Sequence, residues 1–255
     1  MTRAAPDISW LTEAKLCIAF STRLPLTPAG PAMPCLARAL RFNALAGLLV
    51  GGFAAAVYMP MLSVGLPPLL AALLALAAML WFTGALHEDG LADLVDALGG
   101  SRDRMRALDI MRDSRVGSFG AAALFFTLAI RAAALAELAA PSLVLAGLVA
   151  SHAFARGIFA AAIYLFPAAR RDGLGAAAGR AGGGDAFFGL FLGFLIAMAA
   201  LGFGPALTAG LFALLAAGLV LCIALRRLGG YTGDVLGAAE QVAEMTVLIT
   251  WVAMQ

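Results

Sequence analysis

The segment His87-Glu88-Asp89-Gly90-Leu91-Ala92-Asp93-Leu94-Val95-Asp96 packs four carboxylates and an imidazole into ten residues. On a helix, Asp89, Asp93 and Asp96 stand at i, i+4 and i+7, so their three carboxylates share one face. Unpaired, they repel one another. A hard divalent cation between them removes that repulsion, and an oxygen-only donor set that tolerates water and bound phosphate points to Mg²⁺. Glu88 is offset by about 100° on a 3.6-residue helix and is placed in an outer shell, at a second metal or as a base. The plainer reading is a solvated acidic face on a loop helix. Against it, Leu91, Leu94, Val95 and Leu98 make the remaining surface apolar, and Gly90 sits where close approach of another chain segment would be useful. His87 reads either as a structural hydrogen bonder or as a ligand.

Two further groups carry possible chemistry. Arg112-Asp113-Ser114-Arg115-Val116-Gly117 leads into an apolar stretch, and guanidinium forks beside glycine-exposed amides at a helix start hold phosphate oxygens. Arg112, Asp113, Ser114, Arg115 and Gly117 are therefore candidate contacts to an anionic substrate, with a salt-bridged surface as the alternative. Arg104 and Arg106 read as such a surface. Near the C-terminus, Asp234, Gly237, Gln241 and Glu244 lie on one helical stripe following Thr232, with Glu240 on an adjacent line. Glu244 would lie about 15 Å along the axis from Asp234. A carboxylate at that depth in a membrane is costly unless it faces a cavity, a metal or a partner. Thr232, Asp234, Gln241 and Glu244 are thus candidate substrate contacts, and the alternative is a buried pair with Arg131 or Arg156. His152 and Arg156, at i and i+4, share a face. They bind substrate or glue helices together, Arg156 having the better claim to substrate.

Taken together, the carboxylates and arginines suggest Mg²⁺-assisted phosphoryl transfer, with one of Glu88, Asp89, Asp93 and Asp96 taking the proton of an attacking alcohol. No Walker loop, kinase signature or G-x-S-x-G is present.

The elements that must position these groups are membrane helices. The chain has 255 residues, 63% hydrophobic and 13% charged, where a soluble domain is about half apolar and roughly a quarter charged. That composition, with a net charge of +2, excludes an ordinary cytosolic enzyme, a disordered chain and a nucleic-acid binder. Cys17, Cys35 and Cys222 have no metal-ligand spacing and cannot all pair. Residues 42–86 and 186–225 contain no charged side chain, and each is long enough for two crossings. Cuts are expected at Pro60 and Pro67-Pro68, and at Gly202, Gly204 and Pro205. With 117–139, 141–166 and 232–254, seven spans result, the second running directly into the acidic segment. Fifteen of the 17 basic residues fall on one side of this arrangement, which the positive-inside rule assigns to the cytoplasm. The N-terminus and the acidic segment are then cytoplasmic and the C-terminus is outside. No cleavable signal peptide is expected. Residues 7–21 place Ile8, Leu11, Ala14 and Ile18 at helical spacing, as in an interfacial amphipathic helix, and 173–184 reads as a flexible loop. The expected fold is all-α: a single domain over 1–255, forming a polytopic helix bundle in the lipid bilayer. This pattern leaves self-association open.

The run HEDGLADLVDALGG followed by RDRMRALDIMRDSRVGSFG (87–120) resembles the hallmark segment of bacterial cobalamin synthases, the adenosylcobinamide-GDP ribazoletransferases. GGYTGDVLGAAEQVAEM (229–245) resembles the family's C-terminal motif and FSTRLPL (20–26) its N-terminal one. The resemblance implies a Mg²⁺-dependent enzyme of the inner membrane that transfers adenosylcobinamide phosphate from adenosylcobinamide-GDP to α-ribazole or its 5′-phosphate, releasing GMP. A CDP-alcohol phosphatidyltransferase is the nearest rival, but its DG-x2-AR pattern fails at Asp93. An ion-coupled transporter using Glu240, Glu244, Arg156 and His152 as a relay is disfavoured, because most charge lies in the connections.

Overall fold

The computed structural model describes residues 9–26, 35–173 and 178–255. Among these, every element is helical apart from one isolated bridge between Ala168 and Tyr231. Helix α1 (Trp10–Ser21) is followed by α2 (Leu36–Ala39), which passes through a 3₁₀ turn (Leu40–Phe42) into α3 (Asn43–Ser63). Then come α4 (Pro68–Thr83), α5 (Leu86–Gly100), α6 (Arg104–Ile110), α7 (Ser118–Leu138), α8 (Pro141–Gly157) and α9 (Phe159–Leu165). The chain ends with α10 (Gly183–Leu201), α11 (Phe203–Leu228) and α12 (Gly233–Val252). Six helical stretches are long and apolar enough to cross a membrane: Leu36–Ser63, Ser118–Leu138, Pro141–Leu165, Gly183–Leu201, Phe203–Leu228 and Gly233–Val252. The pair α4 and α5, bent by 91°, counts as a seventh when the two are taken as one broken span. The chain is a multi-pass membrane protein.

The cut between α10 and α11 falls where glycine predicts it, at Gly202 with φ 85°. Pro60 does not cut: α3 runs through it to Ser63, and the break comes at Gly65 before Pro68 opens α4. Proline removes one amide donor near the end of that helix, which the remaining turn survives. The second span does not continue straight into the acidic segment either. Gly84 and Ala85 both adopt left-handed backbone (φ 71° and 55°), which turns α5 away from α4.

The bundle is held by small residues. A Cβ on Gly47 or Gly51 of α3 would land on the backbone of His152 or Leu148 of α8, so these helices touch main chain to main chain. Large side chains such as Phe187, Phe191, Leu211, Leu215 and Leu219 point outward, as lipid-facing residues do. Helix α1 forms where an amphipathic helix is expected, and its inward side is polar. Its inward side carries Glu13, Cys17 and Ser21, while Leu11 is exposed; residues 7 and 8 lie outside the described residues. Glu13 accepts from Arg38 at 3.0 Å and Arg41 at 2.7 Å, and Ser21 Oγ donates to Asn43 Oδ1 at 2.8 Å. A polar seam thus docks this helix on α2 and α3. Of the stretch read as a loop, 174–177 lie outside the described residues; beside them Ala178 is buried and its carbonyl accepts from the Ala37 amide.

Candidate active site

The bend at Gly84-Ala85 aims the start of α5 into the bundle. A non-glycine residue at positive φ is strained, and here the strain buries His87 and Glu88 while Asp89 stays exposed. Helix α5 then crosses α12 at very short range. A Cβ on Gly90 would lie 2.8 Å from Asp234 Cα, and one on Gly237 would lie 3.1 Å from His87 Cα. This is the close approach foreseen for Gly90, and it carries the aspartates of α5 to the start of α12. From Gly90 onward α5 projects past the first residues of α12 to the polar end of the bundle, where the Leu98 and Ser101 carbonyls accept from Arg227 Nη2 at 3.4 and 2.7 Å.

At that end Asp93 stands amid Asp89, Asp96 and Asp234. It is partly buried and faces the like charges of all three, an arrangement that is costly without a cation. Asp96 is also committed to backbone: Oδ2 accepts from Gly117 N at 2.7 Å and Oδ1 from Gly120 N at 2.9 Å, capping α7. Each oxygen keeps a lone pair for a further partner. Asp234 accepts from Thr232 Oγ1 at 3.2 Å and faces Arg170 Nη2 at 4.0 Å, while Thr232 Oγ1 also accepts from Val235 N and so caps α12. Four aspartates against one arginine form an oxygen-only donor set with a deficit of positive charge, which fits a divalent cation. They are not a closed cage. Among the described residues, the one trio of donor atoms converging within 4.8 Å is His152, Glu240 and Glu244, and those three are matched by arginines. A cation held by the aspartates would need further oxygen ligands from water or substrate.

Below the aspartates lies a buried ionic network tying α5, α7, α8 and α12 together. Arg131, fully buried, contacts Glu88 at 3.2 Å, Gln241 at 2.9 Å and Glu244. Arg156 contacts Glu240 at 2.5 Å and lies 4.0 Å from Glu244. His152 Nδ1 is 2.9 Å from Glu244, and His87 Nδ1 is 3.2 Å from Glu240. Glu88, Arg156, Gln241 and Glu244 are thus engaged within this network, the buried pairing considered for the stripe. Breaking such a pair by removing one partner costs about 3–5 kcal/mol.

The remaining candidates sit at the surface of this end. Arg112 pairs with Asp172 and with Asp109 at 3.8 Å. Arg115 lies on Asp113, holding that carboxyl below its ordinary range, and is itself largely exposed; Ser114 lies between them, and the Gly117 amide is taken by Asp96. Arg104 departs from the surface-pair expectation: it donates to the carbonyls of Leu228 at 2.7 Å and Ala169 at 2.6 Å, clamping the turn before α12. Sequence reasoning missed Arg170 and Phe20. In the sequence Arg170 is one basic residue among 17 and Phe20 one phenylalanine among 16. Both line a cavity of about 200 Å³ with His87, Asp89 and Asp234. Residues from all three resembling segments, 20–26, 87–120 and 229–245, therefore meet at one cavity.

A family model described as cobalamin-5-phosphate synthase matches residues 13–252. The chain belongs to the cobalamin-5-phosphate synthase family. It is 46% identical to a protein of Bradyrhizobium diazoefficiens named adenosylcobinamide-GDP ribazoletransferase, over 96% of this chain and 95% of that one. A protein of the same name from Mesorhizobium japonicum is 45% identical over 94% and 92%, and one from Xanthobacter autotrophicus 39% over 90% and 91%. No solved structure matches the chain. As a cobalamin-5-phosphate synthase family member, it is a transferase of cobalamin biosynthesis.

Proposed function

We propose that this chain closes the nucleotide loop of cobalamin by transferring adenosylcobinamide phosphate from adenosylcobinamide-GDP to α-ribazole or its 5′-phosphate, with release of GMP. The observation that carries this reading is the convergence of the three segments on the cavity bounded by Asp89, Asp234 and Arg170, in a chain nearly half identical to proteins bearing that activity's name. In the transfer, a ribose hydroxyl of the ribazole forms a new P–O bond to the cobinamide-bound phosphorus. The anhydride P–O bond breaks, GMP leaves, and the hydroxyl proton passes to a carboxylate.

Asp89, Asp93 and Asp96, with Asp234 opposite, are the groups that would hold Mg²⁺, which when bound supplies positive charge to the phosphate oxygens. The chain's own residues do the rest. Arg170 presents its guanidinium beside Asp234 for phosphate oxygens. Asp96 ties α5 to the start of α7, and Arg131 with Glu88 fixes the depth of α5. The neighbouring arginines of 102–115, 170–180 and 226–227 lie at this same end, which we place on the cytoplasmic face of the bacterial inner membrane. The test is purified protein in detergent with adenosylcobinamide-GDP and α-ribazole. Stoichiometric GMP and a coupled corrinoid product by mass spectrometry are expected; hydrolysis without coupling, or no turnover by folded protein, overturns the reading.

A further inference from the structure

Within that function, the two substrates must bind separately, and the structure offers two adjoining spaces of different character. The cavity of about 200 Å³ is walled by Phe20, Leu36, Leu40, Phe159, Ile163 and Leu236, contributed by α1, α2, the 3₁₀ turn, α9 and α12. Its polar end is Asp89, Asp234 and Arg170. The His87 ring packs 5.3 Å from the Phe159 ring. Its Nδ1 faces Glu240, while Nε2 is buried without a hydrogen-bond partner in a residue only 4% exposed. Arg170 Nη1 is likewise buried and unpartnered. Buried polar atoms of this kind are normally satisfied, and both residues line the cavity, so both missing partners are to be sought there. The second space is a cleft of about 740 Å³ lined by Arg170, Arg171, Arg180, Tyr164 and Tyr231. It shares Arg170 and Ile163 with the cavity.

We propose that the smaller cavity is the subsite for the nucleophile's base: it takes the flat heteroaromatic ring of α-ribazole, with His87 Nε2 accepting a hydrogen bond from a hydroxyl of the sugar. The cavity is too small for a corrin, since ligand pockets for drug-sized molecules run to about 300–1,000 Å³, and its mostly apolar lining leaves the polar edge of a guanine without partners. Its walls are apolar and aromatic where a dimethylated bicyclic ring would lie. Its polar end puts Asp89, Asp234 and the unpartnered Arg170 donor beside whatever the ring carries, which in α-ribazole is the ribose with its attacking hydroxyl. The arginine-lined cleft next door has the charge and size for the guanosine diphosphate portion of the other substrate. Arg170 then stands between the two, where the phosphorus must pass from one to the other.

The inference rests on the proposed transfer, and the experiment separates the two. Wild-type GMP release with α-ribazole tests the transfer itself. The subsite is tested with Leu236→Phe and Leu36→Phe, which shrink the cavity from α12 and α2 and line no part of the cleft, and with the pair His87→Asn and His87→Gln. Asparagine keeps a donor near the Nδ1 position and deletes the Nε2 acceptor; glutamine restores a polar atom at the far end. Equilibrium dialysis of α-ribazole and separate KM values for each substrate are the readouts. Each filling variant is expected to weaken α-ribazole by about ten-fold or more, with the KM for adenosylcobinamide-GDP changed less than about two-fold. His87→Asn is expected to weaken α-ribazole by about three- to ten-fold, and His87→Gln to recover part of that. If wild-type protein turns over while folded filling variants keep the wild-type α-ribazole affinity, or lose adenosylcobinamide-GDP instead, the subsite assignment is wrong and the transfer stands. If both filling variants fail to fold, unchanged α-ribazole binding in His87→Asn is the outcome that overturns it.

Discussion

Gly90→Ala adds one methyl group at the crossing of α5 and α12. In the structure that carbon would lie 2.8 Å from Asp234 Cα and 2.9 Å from its carbonyl oxygen, whereas non-bonded carbon atoms rest at about 3.5–4.0 Å. The obstacle is backbone, so no side chain can rotate away, and the helices must part by about 0.5–1 Å to restore contact. Overpacking of this kind costs about 1–3 kcal/mol, while replacing a mid-helix glycine returns about 0.5–1 kcal/mol. The net loss of stability is therefore small, about 0–2.5 kcal/mol. The catalytic loss is not small. The same crossing sets the spacing of Asp89 and Asp93 from Asp234, and a displacement near 1 Å costs about 10²-fold in rate. Thermal unfolding in detergent paired with GMP release is the assay. Gly52→Ala, whose added carbon meets nothing within 4 Å, is the control and should keep full activity. Wild-type turnover in folded Gly90→Ala would refute the idea that this crossing sets the site.

Three further outcomes are expected. Asp93→Asn removes one of four clustered carboxylates and should weaken the apparent Mg²⁺ affinity by about ten-fold or more, read by isothermal titration in detergent. Arg131→Met leaves Glu88 and Glu244 buried without their guanidinium and should cost about 3–5 kcal/mol in detergent unfolding, part of which Glu244→Gln in the same chain restores. Asp96→Ala strips acceptors from the Gly117 and Gly120 amides and should cost about 1–2 kcal/mol, with slower exchange protection lost first at the start of α7 by hydrogen–deuterium mass spectrometry.

Much of the bundle was legible because lipid leaves few options: uncharged stretches of crossing length, with glycine or proline between them, give the spans. What escaped the sequence was decided by backbone detail and by partners. Gly84-Ala85 carries no stronger turn signal than many Gly-Ala pairs, yet two left-handed residues redirect α5 by 91°. Pro60 looked like a terminus and is not, because one missing donor near a helix end is tolerated. In the site, the i, i+4, i+7 aspartate face and the close contact at Gly90 follow from helical geometry alone. That Asp96 also caps α7 depends on where Gly117 and Gly120 arrive from another helix. The depth of Glu240 and Glu244 announced that they need partners, and Arg131 and Arg156 were nameable as such. Which guanidinium meets which carboxylate, and that both histidines join them, is set by the packing of α7 and α8. Arg170 was hidden among topology charges of the same type.

The most direct measurement is GMP release from adenosylcobinamide-GDP and α-ribazole by wild-type, Asp93→Asn and Asp234→Asn proteins, matched for unfolding temperature and titrated with Mg²⁺. The wild type should require both the ribazole and the metal. Each variant should lose about 10²-fold or more in turnover, with a weakened Mg²⁺ response. Full turnover with an unchanged Mg²⁺ response in either folded variant would contradict the placement of the chemistry where α5 meets α12.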